Sequence, residues 1–89
     1  AKFEACRAKL IKAQKLDVLY DLDWQKGKLP KVVAGPTFFG MPIDAKEGFV
    51  ETVNCFLMSG DQGCVDFDIK HWQTGKVAGR WSLCRLKMV

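Results

Sequence analysis

The first segment of the chain has the apolar spacing of an amphipathic helix. It reads KFEACRAKLIKAQ (2–14) and contains neither glycine nor proline. Apolar side chains recur in it at steps of three and four residues, so on a helix they would form one stripe. The residues of this stripe are Phe3, Cys6, Leu10 and Ala13. The pattern predicts a helix over 2–14, with Lys2, Lys9 and Lys12 facing outward.

The following segment fits two different periods. It reads LDVLYDLDW (16–24), and apolar and acidic residues alternate in it from Val18 to Trp24, as they do in a strand. Leu16 and Leu19 also fit one face of a helix that continues the first. Both interpretations stay open, and the tetrapeptide QKGK then interrupts either element.

Two prolines and a glycine divide the segment LPKVVAGPTF (29–38). Pro30 can occupy the first turn of a helix, and Gly35 can close a helix in the left-handed conformation, after which Pro36 cannot continue it. The segment is therefore predicted to be a single helical turn that leads into an extended TFFG. The two adjacent valines favour the alternative, an extended segment with a turn at each end.

The second half of the chain is predicted to form three antiparallel strands. The first, FVETVNCFLM (49–58), is rich in aromatic and β-branched residues. The second, CVDFDIKHW (64–72), alternates strictly, with Phe67 and Ile69 inward. The third is RWSLCRLKMV (80–89), and the glycine-containing loops SGDQG and QTGKVAG separate the three.

These elements together predict an α+β fold in a single domain, residues 1–89. The N-terminal helix is expected to pack on an antiparallel β-meander of three or more strands that occupies residues 49–89. The 48% hydrophobic content suits a globular core. No apolar run reaches the roughly 18–20 residues of a membrane-spanning helix. The chain begins with Ala1, which predicts that a targeting segment has been removed or that the chain is part of a longer protein.

Positive charge is concentrated in the first third of the chain. Residues 1–31 hold eight Lys/Arg and four acidic residues, whereas residues 32–89 hold six of each. A basic segment ahead of a neutral body suits an anionic surface, such as lipid headgroups, nucleic acid or an acidic protein. The residues predicted to make this contact are Lys2, Arg7, Lys9, Lys12 and Lys15. The alternative is a solvated helix face without a partner.

The cysteines leave the redox state of the protein open. They are Cys6, Cys55, Cys64 and Cys84. Four cysteines allow three disulfide connectivities, and free buried thiols are equally compatible with the sequence. The sequence contains no CxxC pair, and His71 is its only histidine, which argues against a zinc site.

No arrangement of residues predicts catalysis. Asp66 and Asp68 share one face of their strand, and His71, at odd spacing, points to the other. A pair of Cys84 and His71 on neighbouring strands stays open, although no nucleophile signature surrounds any cysteine or serine. The acidic residues near the middle turn, which include Asp61, are interpreted as a solvated surface rather than a metal site. We therefore predict that the protein is not an enzyme and that it holds neither a metal nor a cofactor.

Little in the sequence indicates that the protein binds nucleotides or nucleic acids. The glycines are dispersed and form no phosphate-binding loop. A single strand over 80–89 would place Trp81, Arg85 and Lys87 on one face and Arg80 on the other. That mixed pattern differs from the exposed aromatic platform on which bases stack.

The order of these features resembles a known family. A helix precedes a glycine–proline stop in AGPTF (34–38), a glycine turn lies within GFVETVNCFLMSGDQGCVDFDI (48–69), and tryptophan opens GRWSLCRLKMV (79–89). This order is similar to the cytochrome oxidase complex assembly protein family and to the soluble domain of a presequence translocase subunit of the mitochondrial inner membrane. The positions that carry the resemblance are Gly35, Pro36, Gly60, Gly63 and Trp81.

The resemblance covers about residues 30–89 and departs from the family in three respects. The middle turn holds fewer glycines, residues 16–28 have no counterpart, and these residues include no membrane helix of the kind the family has. The resemblance implies a domain that binds other proteins at an inner membrane and performs no chemistry.

Two classes of function follow. The first is a non-catalytic accessory or assembly subunit that binds protein subunits of a respiratory or photosynthetic complex, peripheral to the inner membrane of a mitochondrion or a plastid. The second is a small secreted, disulfide-bonded binder or inhibitor of cystatin-like plan, although the chain has no central Gln-Val-x-Val-Gly hairpin. Two disulfides would favour secretion, whereas four free thiols would favour an intracellular subunit.

Overall fold

The computed structural model describes residues 2–23, 30–58 and 63–89 and has the predicted α+β fold. Its helices are α1 (Lys2–Lys15), α2 (Pro36–Phe39) and α3 (Ile43–Leu57). Its strands are β1 (Leu19–Asp23), β2 (Lys31–Ala34), β3 (Phe67–His71), β4 (Val77–Ser82) and β5 (Arg85–Met88). The class predicted from the sequence is confirmed, as is an N-terminal helix that begins at Lys2.

The five strands form one sheet in chain order, from β1 to β5. The pairs β1–β2, β3–β4 and β4–β5 are antiparallel, so the last three strands form a meander, although not from the three segments predicted to form it. The pair β2–β3 is parallel, which the sequence did not predict. Parallel neighbours need a long crossover connection, and α3 supplies it.

The prediction of a strand over 49–58 is wrong, because α3 extends from Ile43 to Leu57. Its buried residues include Val50, Val53 and Leu57, which recur at steps of three and four. The aromatic and β-branched composition of this segment favoured a strand only as a weak preference, and packing against the sheet overrides it. The sheet therefore does not begin at 49 but at β1.

The predicted helical turn in the segment 29–38 is also wrong, and the extended alternative is confirmed for its first half. Residues 31–34 form the inner strand β2, which pairs with both β1 and β3. The predicted extended segment after Gly35 is instead the short helix α2, which has Pro36 at its start. Two neighbouring strands satisfy the backbone of β2 on both sides, which a single helical turn could not do.

The ambiguous segment 16–24 contains β1, so the strand interpretation is confirmed. An irregularity between Leu19 and Asp21 shifts the register, so that Leu19 is buried while Tyr20 is 59% exposed. The register shift therefore turns both Leu19 and Leu22 toward the core, which a regular alternation does not allow. Trp24 lies outside the described residues.

The predicted third strand over 80–89 is two strands, β4 and β5, joined by the two residues Leu83 and Cys84. Both have positive φ angles, 53° and 60°, as in a type I′ hairpin turn. The sequence contains no Asn-Gly or Asp-Gly pair here, so the usual signal for this turn was missing. Strand β4 also begins at Val77, inside the segment predicted to be a loop.

Helices α1 and α3 cover one face of the sheet and enclose the hydrophobic core. Leu10 of α1, Val50 and Val53 of α3, and Val32 and Ile69 of the sheet are all buried in it. In the predicted stripe of α1, Cys6 and Ala13 are half-buried beside Leu10, which confirms the inward face of this helix.

Two disulfides connect the helices to each other and to the sheet. Cys6 near the start of α1 is bonded to Cys55 near the end of α3, with a Cα–Cα distance of 6.1 Å. Ala13 near the end of α1 lines a groove with Gly48 in the first half of α3, so the two helices run in opposite directions. Cys64 is bonded to Cys84 of the β4–β5 turn, with a Cα–Cα distance of 5.5 Å. Both distances are ordinary for disulfides. All four cysteines are therefore paired.

Gly35 is needed for its small size rather than for a left-handed backbone. Its φ of −87° and ψ of 178° are extended, which contradicts the predicted helix-closing role. A Cβ atom at this position would collide with the backbone carbonyl of Asp17. The Gly35 N–H donates to the Val18 carbonyl at 2.9 Å, and the Thr37 N–H donates to the Asp17 carbonyl at 3.1 Å. The junction between α1 and β1 thus lies directly on the start of α2.

We expect Gly35→Ala to lower the free energy of unfolding by about 2 kcal/mol or more. The new Cβ atom would force the backbone at residue 35 and the backbone of Asp17 apart. Gly48→Ala is the matched control, since a Cβ atom at that position in α3 meets nothing within 4 Å. It should raise the free energy of unfolding by about 0.5–1 kcal/mol through helix propensity. Urea unfolding of both variants checks this, and a neutral Gly35→Ala would contradict the close contact.

Asn54 joins α3 to two later parts of the chain. Its Oδ1 accepts hydrogen bonds from the Val65 N–H at 2.9 Å and from the Trp81 indole Nε1–H at 3.2 Å. Its Nδ2 donates to the Gly63 carbonyl at 3.0 Å. The amide therefore fixes the segment that enters β3 and orients the indole of Trp81, which is only 2% exposed.

Asn54→Ala is expected to lower the free energy of unfolding by about 2 kcal/mol, because two donors lose their shared acceptor. Thr52→Ala on the same helix is the control. Its hydroxyl donates to the Gly48 carbonyl at 2.9 Å on an exposed surface, so its loss should cost less than about 0.5 kcal/mol. Denaturant titration measures both changes, and equal losses would exclude a special role for Asn54.

Candidate protein-binding surface

The sheet face opposite the helices carries charged side chains, and we call it the open face. Because side chains alternate along a strand, residues paired across the sheet share a face. Lys31, Asp68, Arg80 and Lys87 are successive partners from β2 to β5. Among the paired strand residues of the open face, the cations are Lys31, Lys70, Arg80, Arg85 and Lys87, and the acids are Asp21, Asp23 and Asp68. Cations are therefore in excess on this face.

The two-residue turn places four polar residues of β4 and β5 together on the open face. Ser82 pairs with Arg85, and Arg80 pairs with Lys87. The expectation that Arg85 and Lys87 lie on the same face as Trp81 is therefore wrong. A two-residue turn brings the residues on either side of it opposite each other, which reverses the assignment for all of β5.

A groove of about 710 Å³ lies along this hairpin. We call the residues that line it the hairpin cluster, and they are Arg80, Ser82, Leu83, Arg85 and Lys87. Arg80 Nε lies 3.7 Å from Asp68 Oδ1, in an exposed ion pair. Arg85 and Lys87 have no ion pair with any acidic residue in the described parts of the chain. The groove therefore has a surplus of positive charge and three cationic groups that can donate hydrogen bonds.

The hairpin cluster ends at an apolar tip. Leu83 is 85% exposed and sits in the left-handed conformation, which costs about 1–2 kcal/mol for a residue with a side chain. The next residue, Cys84, is tied by its disulfide to Cys64. The position of the tip is thus fixed relative to the body of the domain.

The basic residues predicted on α1 do not form a single face. Arg7, Lys9, Lys12 and Lys15 are exposed, and Lys2 begins the helix. Lys9 and Lys12 line a groove between α1 and α3, whereas Arg7 lies on the side next to β1. At 3.6 residues per turn, Arg7 and Lys9 point roughly 160° apart around the helix axis. The structure therefore separates residues that the sequence grouped together.

His71 and Cys84 do not form a nucleophile–base pair. His71 lies at the end of β3 remote from the β4–β5 turn, and the length of β3 alone separates the two by about 13 Å. Its Nδ1 accepts a hydrogen bond from the Gln73 N–H at 3.0 Å. Its ring stacks on Trp72, with 4.1 Å between ring centroids, and lies 4.8 Å from Phe39. Since Cys84 is in a disulfide, it has no thiolate to offer.

The acidic residues considered as metal ligands are not gathered into a site. Asp66 is exposed, Asp68 pairs with Arg80, and Asp61 lies outside the described residues. Among residues 2–23, 30–58 and 63–89, no group of three or more potential ligands is close enough to hold a metal ion. None of the helices described is long and apolar enough to cross a membrane.

Comparisons with protein-family models, with curated proteins and with solved structures found no match. The resemblance to the cytochrome oxidase complex assembly family therefore stays a prediction. It depends partly on Gly35, Gly63 and Trp81, and each of these has a structural role in this fold.

The hairpin cluster itself was missed by reading the sequence. A single strand over 80–89 would divide its residues between the two faces of that strand. The available signal was weak, because the Leu83–Cys84 pair has none of the residues that favour positive φ angles. Only the pairing of β4 with β5 brings these side chains together.

Proposed function

We propose that this chain is a non-catalytic protein-binding domain whose hairpin cluster binds acidic side chains of a partner. The observation that carries the proposal is the surplus of positive charge among the residues that line the groove, where Arg85 and Lys87 form no ion pair within the described residues. Arginine can hold a carboxylate with two parallel hydrogen bonds, and it is enriched in protein interfaces.

The arrangement of the groove suits several carboxylates at once. Arg80 and Lys87 lie directly opposite each other on β4 and β5, and Arg85 is one pair closer to the turn. Paired residues in an antiparallel sheet have Cα atoms about 5 Å apart, so the three cations are neighbours. The sheet also holds their backbone in place before binding, which reduces the entropy lost when a partner docks.

The side chains considered for catalysis support a non-catalytic function because each is engaged in another way. His71 is hydrogen-bonded through Nδ1 and stacked on Trp72. The cysteines are paired in disulfides. Asp68 is bound to Arg80. We therefore assign the open face to recognition rather than to chemistry.

The two disulfides support an oxidising compartment, because structural disulfides persist there and are rare in the cytosol. They favour the second class considered from the sequence, a small secreted disulfide-bonded binder. The parallel β2–β3 pair and the crossover helix α3 depart from the cystatin-like plan of one helix on an antiparallel sheet. The first class, an accessory or assembly subunit at an organellar inner membrane, needs a location where both disulfides can form.

Counting thiols tests the compartment. Protein isolated from its source with an alkylating reagent present should take up no alkyl groups when denatured, and four after reduction, as measured by intact mass. Denaturation without reductant is the control, because it exposes any buried thiol. Alkylation before reduction would instead favour a reducing compartment and an intracellular subunit.

A displayed library of random 12-residue peptides tests the binding surface. Peptides that bind the immobilised, oxidised protein should be enriched in Asp and Glu, and salt should weaken their binding by screening. Arg85→Glu/Lys87→Glu is expected to weaken the selected peptides at least tenfold, measured by fluorescence anisotropy. Lys9→Glu/Lys12→Glu changes the charge equally on the opposite side of the sheet and should leave the affinity within about twofold.

Three results would contradict this proposal. One is selection of peptides without acidic enrichment, and another is equal loss of binding in the two double variants. The third is dependence on the α1 lysines alone, which would return the site to the helix surface predicted from the sequence. Vesicles containing phosphatidylserine, tested with the same variants, distinguish a lipid surface from a protein.

A further inference from the structure

Leu83 is difficult to explain by the stability of this domain. Its side chain is 85% exposed and lies outside the hydrophobic core. Its φ of 53° is one that glycine or asparagine adopts with less strain. The fold thus keeps a large apolar side chain at a position where a small or polar residue would be more favourable.

The tip that carries Leu83 is held in one place by its neighbours. Cys84 is bonded to Cys64, and the following residue, Val65, donates its N–H to Asn54 of α3. The tip is therefore tied to the loop that enters β3, and this loop is tied to the helix. A side chain presented by such a support loses little conformational entropy when it is covered by a ligand.

Leu83 also belongs to the groove that contains the three cations. It lines the same concave surface as Arg80, Arg85 and Lys87. A ligand that fills this groove with its carboxylates therefore brings its neighbouring side chains against Leu83. Apolar side chains that are rigidly held and surrounded by polar groups are typical centres of binding energy.

We infer that the groove binds a linear acidic segment of a partner protein in which a large apolar side chain lies between carboxylates and packs on Leu83. This inference rests on the proposed function and names its ligand. The acidic groups match the surplus of positive charge, and the apolar side chain matches the exposed tip.

An anionic membrane surface is the competing ligand, and the structure favours it less. The cations line a concave groove, which receives side chains of a ligand, whereas a flat bilayer contacts projecting groups. Leu83 has far fewer carbons than a myristoyl chain, and one myristoyl chain alone gives only marginal membrane binding. The peptide is therefore the ligand we assign.

The test uses peptides selected from the displayed 12-residue library on the oxidised, full chain. They should contain a large apolar residue as well as Asp and Glu. Leu83→Asn and Leu83→Gly should weaken binding at least tenfold and leave the urea midpoint unchanged or higher, since both residues tolerate the left-handed conformation. Leu83→Met keeps an apolar side chain and should bind within about threefold of the parent.

Ile11→Gln is the matched control for loss of an exposed apolar side chain. Ile11 is 47% exposed on α1, on the covered side of the sheet, and its replacement should change the peptide affinity by less than about twofold. Circular dichroism and the urea midpoint show that each variant is folded before its affinity is compared.

The outcomes separate this inference from the proposed function. Full binding by Leu83→Asn, together with loss in Arg85→Glu/Lys87→Glu, overturns the role of Leu83 and leaves the acidic site standing. Failure of the parent protein to select acidic peptides overturns both.

Two further results concern the role of Leu83. A lower urea midpoint in Leu83→Asn and Leu83→Gly means that the Leu83 side chain stabilises the fold. Leu83-dependent binding to phosphatidylserine vesicles assigns the tip to membranes. Either of these results also overturns the inference.

Discussion

The amide of Asn54 connects the parts of this fold that the chain itself keeps far apart. It binds the segment that enters β3 and the indole of Trp81 in β4, and it lies in the helix that crosses over between parallel strands. Asn54 is half-buried, and three hydrogen bonds to two separate parts of the chain can form together in few arrangements. This requirement fixes α3, β3 and β4 relative to one another.

The disulfides extend the same constraint to the rest of the domain. Cys55 follows Asn54 directly and bonds α3 to α1, while Cys64 precedes the hydrogen-bonded Val65 and bonds to the β4–β5 turn. The sequence separations are 49 and 20 residues. In the chain-entropy description each link contributes on the order of 3–4 kcal/mol. For a chain of this size, whose core is small, such links are a large share of the stability.

This organisation separates the two faces of the sheet: one encloses the core, and the other carries the groove that we propose binds a partner. Helices α1 and α3 bury the face that includes Val32 and Ile69, and this burial is the main apolar contribution to folding. The open face lies outside this core and carries charged residues such as Arg80 and Lys87. The disulfide-linked hairpin places these residues at one edge of the sheet, beside a leucine in an unfavourable conformation.

The sequence by itself determined α1, the inward face of β3 and the α+β class, because the steps of three and four around Leu10 and the alternation of Phe67 and Ile69 are local patterns. It did not distinguish β2 from a helical turn or α3 from a strand, since β-branched and aromatic residues occur in both and only neighbouring strands decide between them. The hairpin cluster was decided by tertiary structure alone. Leu83 and Cys84 adopt positive φ angles, which residues with side chains disfavour. The pairing of β4 with β5 and the disulfide to Cys64 hold the turn in this conformation. That turn determines which face of the protein carries Arg85 and Lys87.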